Sequence, residues 1–573
     1  MPLSDLPRLT AAFAVDGWNV RSHATTGADK LGIVAEHRCA VINEDPLKPK
    51  TAYFLEGLHY DMGYLLGILA EPVIARMTTG FVHGMIWDLI VWHPRPSDDP
   101  AELEIVRRIK DTLGGTIGDL MKAGCRAMKP DIPSEYLDEL RGIREGCVAA
   151  NAATEVTFDD LLVLNFGIDW FMANVYTLFG LTRKLRRAVR RGLAGIQPPG
   201  ACNGFALFNG AAANGGFLFG RDFMFPTGGV FEDTACLIIQ KPDPVSGEER
   251  RPFVSLTAPG LIGSIVGMND RHVAIGVDIA PAAAADPKRP GFNSLPLNRY
   301  TVEKGDSAAR AADVIVGARR GVPWIYIIAD GTNDRACVVE ATRYDDANID
   351  YWKFPPCSLK RRCFGRRRYL PSRRFLRDHK TADQRHGVMI RWENYAYDPA
   401  YLDFNKRLCR RFHRSFPGGA DDKDGFINET YADGNCPYWY YFAPQREAKD
   451  NVVLTTNHFV IPEIRYASMT PWIALLFGKL AQDSQWRYDA LNKLILDGLE
   501  TARLAGRTGI DPQEAREILR FLDPTGTYGD YYGAGKEVIE GAQSLCDLKA
   551  GTIESHYGYY VDRWVKLTLG NYI

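Results

Sequence analysis

The stretch from Ala201 to Asp222 constrains this chain more than any other. Ala201-Cys202-Asn203-Gly204-Phe205-Ala206-Leu207-Phe208 returns through Asn214-Gly215-Gly216 to Phe217-Leu218-Phe219-Gly220-Arg221-Asp222. Asn-Gly and Asn-Gly-Gly steps accept positive φ, so the two apolar runs read as antiparallel strands joined by a turn. Cys202 therefore begins a strand. Just upstream, Gly195-Ile196-Gln197-Pro198-Pro199-Gly200 holds too much Pro and Gly for regular structure, so a loop ends where the strand starts. An antiparallel return also brings Arg221 and Asp222 back toward the residue that opened the hairpin.

A loop running into a cysteine at a strand start is what self-cleavage needs. If the Ala201–Cys202 bond breaks, Cys202 becomes a chain terminus carrying a thiol and a free α-amine. That amine has an ordinary pKa of about 7.7–8, so it can take the thiol proton and return it to a leaving amine. The thiolate then attacks a carbonyl with its base on the same residue, and no separate catalytic histidine is required.

Further motifs follow in order: Pro259-Gly260-Leu261-Ile262-Gly263, Gly267-Met268-Asn269-Asp270, Ala329-Asp330-Gly331, Val338-Val339-Glu340, Thr456-Asn457-His458-Phe459 and Ser484-Gln485-Trp486-Arg487-Tyr488. Upstream stand Tyr136-Leu137-Asp138-Glu139-Leu140-Arg141-Gly142-Ile143 and Leu161-Leu162-Val163-Leu164-Asn165. Together with Cys202 and Phe217 to Arg221, this series resembles the cysteine-type N-terminal-nucleophile (Ntn) amidohydrolases. The likeness is to the acyl-CoA:6-aminopenicillanate acyltransferase-like branch in particular, with bile-salt hydrolase, penicillin V acylase and acid ceramidase as more distant relatives. It spans most of the chain apart from roughly residues 345–450.

The resemblance implies cleavage between Ala201 and Cys202, with Cys202 as nucleophile. It gives Asn457 the oxyanion, whose tetrahedral charge needs a preorganised donor. It places Arg221 close to the thiol, where a cation lowers the thiol pKa. The pattern Gly-Arg-Asn-x-Asp puts a carboxylate three residues after that arginine, whereas Met224 stands there and Asp222 takes the Asn position. Asp222 is the remaining candidate to orient the α-amine. The usual Thr or Ser after the nucleophile is replaced by Asn203-Gly204. Asn269 and Arg487 match recurring positions in second rank, since Asn269 also suits its turn and Arg487 also suits a helix anchor. His458 reads as a packing residue, and Cys236 and Cys337 as core.

With 573 residues, 46% hydrophobic and 24% charged, the chain can bury a large core. Lys plus Arg number 69 against 70 for Asp plus Glu, so nothing global favours nucleic acid. Eleven cysteines without short paired spacing argue against a disulfide scaffold and for a reducing compartment. The start, Met1 to Pro7, lacks a basic region followed by an apolar run, and the apolar stretches Met77 to Trp92 and Met469 to Leu480 are too short or interrupted to span a bilayer. The expectation is a cytoplasmic protein with no membrane insertion and no cofactor, since no phosphate loop, dinucleotide fingerprint or metal-ligand spacing is present.

Residues 1–60 mix short β-like runs with turns, and helical spacing follows at Met62 to Met77, where Gly63 and Gly67 permit close helix approach. Helices are also expected at Pro100 to Lys122 and from Ser134, so residues 1–201 read as a largely helical N-terminal part ending at the cleavage loop. Leu181 to Leu193 forms a basic amphipathic helix, read as a solvated face or a propeptide arm. Residues 202–573 turn to strands and hairpins without regular βαβ alternation, giving an α+β chain with antiparallel sheets. The resemblance sharpens this to an αββα sandwich of two sheets between helical layers. Residues 345–450 look like an insertion rich in Arg and aromatics, expected to pack over the sandwich, cover a substrate anion or contact another subunit.

These features point to an autoprocessed amidohydrolase or N-acyltransferase acting on a linear, non-peptide amide or an acyl-CoA-like donor, with a homo-oligomer left open. The alternatives are a phospholipase B-like or ceramidase-like lipid amidase and a non-catalytic Ntn scaffold that binds a partner.

Overall fold

A computed structural model describes residues 2–37, 50–81, 117–178, 202–224, 230–280, 285–344, 384–395, 450–461, 478–522, 538–559 and 564–573, with a few isolated positions between them. The chain opens with α1 (Pro2–Val15), β1 (Asn19–Thr25), β2 (Leu31–His37), β3 (Lys50–Gly57), α2 (His59–Arg76), α3 (Ser134–Ala150) and α4 (Phe158–Leu178). Next come β4 (Cys202–Phe208), β5 (Phe217–Met224), β6 (Cys236–Pro242), β7 (Phe253–Thr257), β8 (Val266–Asn269), β9 (Val273–Ile279), α5 (Ser294–Lys304) and α6 (Ala308–Gly317). Then follow β10 (Trp324–Asp330), β11 (Arg335–Ala341), β12 (Gln384–Arg385), β13 (Val388–Trp392), β14 (Val452–Thr456), α7 (Gly478–Leu504), α8 (Pro512–Leu522), β15 (Val538–Asp547), β16 (Thr552–Tyr559) and β17 (Val565–Thr568).

These strands form two sheets. The larger has eleven strands in the order β1-β2-β3-β6-β7-β8-β9-β10-β11-β13-β12, and the smaller has six, β14-β4-β5-β15-β16-β17. The sheets face each other through β4 and β5 on β9, and β14 on β11. α2, α5 and α6 cover the outer side of the large sheet, while α7 and α8 cover the small one. The architecture is thus α+β, a four-layer αββα sandwich.

Side chains explain why both sheets sit inside. In β4 and β5, Ala206, Phe208, Phe217 and Phe219 join the core shared with the large sheet, whereas Phe205, Leu207 and Leu218 join the core under α7 and α8 with Leu491, Ile495 and Leu519. Alternate residues thus enter different apolar layers, so the strands read as continuous apolar runs rather than as alternating ones.

The described residues of the N-terminal part are mostly helical, and they also supply three strands to the large sheet. β1, β2 and β3 extend the large sheet, and β3 lies parallel to β6, with Ala52 opposite Leu237 and Phe54 opposite Ile239. A parallel pair needs a long crossover, and this one contains α2, α3, α4 and the hairpin β4–β5. α2 and α3 cross at near backbone contact. A Cβ at Gly63 would lie 2.2 Å from Glu139 O, at Gly67 2.4 Å from Ile143 O, and at Gly146 2.1 Å from Tyr64 O, so Gly63 and Gly67 serve the close approach their spacing suggested.

Part of the segment read as an insertion is built into the sandwich. β13 pairs with β11 inside the large sheet, and Arg391 on β13 donates to Leu454 O at 2.9 Å and pairs with Glu340 at 3.2 Å. Its arginine run at 360–368 and aromatic run at 438–442 lie outside the described residues, as do Leu181 to Leu193, the Gly195 to Gly200 loop and Ala201. No described helix is long and apolar enough to cross a membrane.

The first helix meets the last strand. Trp18 Nε1–H donates to Lys566 O at 2.8 Å, Asp16 accepts from Thr568 N at 2.8 Å and from Tyr572 Oη at 3.0 Å, and the Tyr572 ring packs on Phe13.

Candidate active site

Register decides which groups meet. Cys202 is the first residue of β4 and pairs with Phe223, Asn203 with Asp222, and Gly204 with Arg221. By the same alternation that splits the aromatics, Cys202, Gly204 and Arg221 face the large sheet, and Asn203 and Asp222 face α7 and α8.

Arg221 runs into the space between the sheets with no exposed surface. Its Nη1 donates to Asn203 O at 2.7 Å and to Asp222 O, and its Nη2 donates to Val277 O and lies 2.7 Å from Asp278 Oδ1 on β9. Gly276 makes the room, because a Cβ there would stand 2.7 Å from Arg221 Cδ. The guanidinium also acts on the Cys202 thiol, favouring its charged form.

Asn457 follows β14, whose Thr456 pairs with Asn203, so the next residue falls beside the start of β4. The Cys202 backbone N–H donates to Asn457 Oδ1 at 2.6 Å. From α7, Arg487 Nη1 donates to Cys202 O at 2.5 Å and Nη2 donates to Asn457 Oδ1 at 2.9 Å. Two donors on one atom require that atom to be the amide oxygen, which leaves Nδ2 to donate to Ile279 O at 2.9 Å. Cys202, Asn457 and Arg487 are all buried.

Burial pushes the Cys202 thiol above the ordinary cysteine range; Arg221 and, more weakly, Arg487 pull it back, while the Asp278 carboxylate pushes it further up. Burial likewise raises Asp278 against the pull of Arg221. The other described cysteines, Cys125, Cys147, Cys236, Cys337 and Cys546, are buried and raised by desolvation too.

Four residues singled out in the sequence therefore meet: Cys202, Arg221, Asn457 and Arg487. Asp222 does not join them, since the pleat turns it to the helical side, where its Oδ2 accepts from Asn203 Nδ2 at 3.1 Å. Asn269 lies at the other end of β9, donating to Val302 O and Gly305 O and accepting from the Arg271 and Val273 amides. It closes the β8–β9 turn and ties it to α5. His458 bonds Ser484 Oγ at 2.7 Å and packs edge-on against Tyr488, a structural place as expected.

Asp278 was not singled out in the sequence. Its signal is a carboxylate inside the run Val273-Ala274-Ile275-Gly276-Val277-Asp278-Ile279-Ala280, on a strand whose first six residues are fully buried. A charge in such a strand needs a partner, and that need is a usable clue. Among the described residues, no three His, Cys, Asp or Glu side chains are placed to hold a metal ion.

No family model matches this chain. A protein of Archaeoglobus fulgidus described as "Uncharacterized protein" is 28% identical over 514 residues, 89% of this chain and 64% of that protein. The chain thus spans less than two thirds of the length of this curated relative. Among solved structures, a Caenorhabditis elegans ortholog of N-acylethanolamine-hydrolyzing acid amidase gives a TM-score of 0.20 at 14% identity, over 24% of this chain and 59% of that one. Two variants of conjugated bile acid hydrolase from Clostridium perfringens each give 0.31 at 11% identity, over 64% of this chain and 92% and 93% of theirs. Superpositions at these scores decide nothing.

Proposed function

We propose that this chain is a precursor that cleaves itself between Ala201 and Cys202 and then acts as a cysteine Ntn amidohydrolase or acyltransferase on a small linear acyl amide or an acyl-CoA-like donor. One observation carries the reading: the cysteine that opens β4 has its nitrogen held by Asn457 and its carbonyl by Arg487, with the Arg221 guanidinium acting on its thiol. A structural cysteine needs none of these, whereas a nucleophile that is also a chain terminus needs its nitrogen and carbonyl fixed and a cation beside its sulfur. The ordered motifs from Tyr136 to Arg487 support the same reading.

In self-cleavage the Cys202 sulfur adds to the Ala201 carbonyl carbon, and the C–N bond breaks with a proton passing to the departing nitrogen. Water then hydrolyses the thioester, leaving a carboxylate on Ala201 and a free amine and thiol on Cys202. During turnover that amine, still bonded to Asn457 Oδ1, takes the thiol proton. The thiolate attacks the substrate carbonyl beside Arg221, and the amine returns the proton to the leaving nitrogen. Asn457 Nδ2 carries two hydrogens; Ile279 O takes one, and the other is a donor for the oxyanion. Water or an acceptor amine then takes the acyl group from sulfur.

Intact-mass measurement of the purified protein beside Cys202→Ala tests this. Two pieces joining at Ala201/Cys202 in the parent and one full-length chain in the variant are expected. Full-length chains in both would sink the proposal.

A further inference from the structure

The buried charge nearest the nucleophile comes from the facing sheet. Arg221 Nη2 lies 2.7 Å from Asp278 Oδ1, and both side chains have no exposed surface. Yet Nη1 and Nη2 donate to the carbonyls of Asn203, Asp222 and Val277, so Asp278 is held by the charge of Arg221 and by the Thr455 hydroxyl, which together leave part of its acceptor capacity unused. Thr455 sits on the same side of the small sheet, opposite Gly204, with its hydroxyl near the carboxylate. Asp278 is thus a buried carboxylate with charge compensation but spare acceptor capacity, next to a residue that gains hydrogens on its nitrogen when the chain is cut.

We propose that Asp278 is the positioning carboxylate of this site, reaching the Cys202–Arg221 pair across the sandwich and setting the protonation of the nucleophile. This assignment rests on the reading of Cys202 as the nucleophile. Asp222, whose side chain faces the helical side and accepts from Asn203, is not placed to reach this pair. The negative charge of Asp278 cancels Arg221, so the thiol keeps its proton until the α-amine takes it. The charged groups acting on the sulfur are Arg221 from β5, Asp278 from β9, Arg487 from α7 and, after cleavage, the amine of Cys202 itself.

The test is the pH dependence of Cys202 alkylation by iodoacetamide, read by mass spectrometry, in the parent, Asp278→Asn and Asp278→Glu, with a melting curve for each. Without the carboxylate, two arginines act on the sulfur uncancelled, so the midpoint of the Asn variant should fall by roughly one unit or more. The Glu variant, which keeps the charge, should follow the parent. An Asn variant with the parent's midpoint, whatever its melting temperature, overturns the assignment. If Asp278→Asn does not fold, Arg221→Met is compared with Arg221→Met/Asp278→Asn, where removing the acid relieves an unpaired buried charge. The double variant should then have the lower midpoint, and equal midpoints overturn the proposal. A parent that neither cleaves nor alkylates at Cys202 refutes the nucleophile reading itself, whereas a cleaved, reactive parent with an unmoved Asn variant refutes only the role of Asp278.

Discussion

Arg487 and Asn269 had equal standing in the sequence, and their surroundings separate them. Arg487 bonds the Cys202 carbonyl and the amide that holds its nitrogen, while Asn269 makes four bonds to backbone around the β8–β9 turn. Arg487→Met should slow self-cleavage and turnover by roughly ten- to a hundredfold, the effect of removing a charged donor from a buried acceptor. Asn269→Ala should lower the melting temperature and leave the rates of the folded fraction alone. Rate assays beside melting curves check both, and a loss of rate confined to Asn269→Ala would reverse the assignment. Cys202, Arg221, Asn457 and Arg487 were singled out because each matches a short motif of the resembling family, a signal that Asn269 shares although it lies at a turn elsewhere. The acid was not, because a strand pleat decides which face Asp222 takes, and only the meeting of two sheets brings Asp278 to Arg221.

At the scale of elements, the β4–β5 hairpin was legible because turn residues and apolar runs are local signals, and Asn214 does sit at positive φ. β2 and β3 were legible as short β-like runs, but their place in the large sheet was not, since β3 pairs with β6 across the whole crossover and no short-range pattern encodes that parallel register. β13 was hidden in the same way, inside a segment whose charged and aromatic runs dominate its composition. The α2–α3 crossing gives a sharp expectation. A Cβ at Gly67 would stand 2.4 Å from Ile143 O and 2.7 Å from Cys147 N, both backbone atoms that cannot swing aside. Gly67→Ala should therefore destabilise the fold by about 1–3 kcal/mol, the usual cost of overpacking, although alanine is the better helix former. Chemical denaturation measures this, and an unchanged midpoint would mean that the helices part more easily than their packing implies.

Across the whole molecule, stability should carry a pH signature from one buried acid. Asp169 on α4 accepts from Ser294 Oγ at 2.8 Å and Trp324 Nε1 at 2.9 Å, yet burial holds its carboxyl up to about 7. The folded chain then keeps a proton that the unfolded chain loses near pH 4. This contribution is fully present below about pH 4 and is lost as pH rises through the folded value near 7. Asp169→Asn is neutral throughout and can accept from Trp324 while donating to Ser294. Above pH 7 it should be more stable than the parent, by up to about 4 kcal/mol for a shift of this size. Melting curves from pH 4 to 8 test it, and a variant less stable than the parent at pH 8 would show that the charged form is the one the fold wants. The same global view bears on the join between α1 and β17. Asp16 and Trp18 hold Thr568, Lys566 and Tyr572, so residues near 16 and near 570 lie side by side, and β3 is zipped to β6. Ends that adjoin can be linked, and the ring so formed can be opened elsewhere. A circularly permuted gene, with a short linker from Ile573 to Pro2 and translation starting immediately before Cys202, would be born with its nucleophile at the terminus, separating the chemistry of maturation from the chemistry of turnover in one molecule.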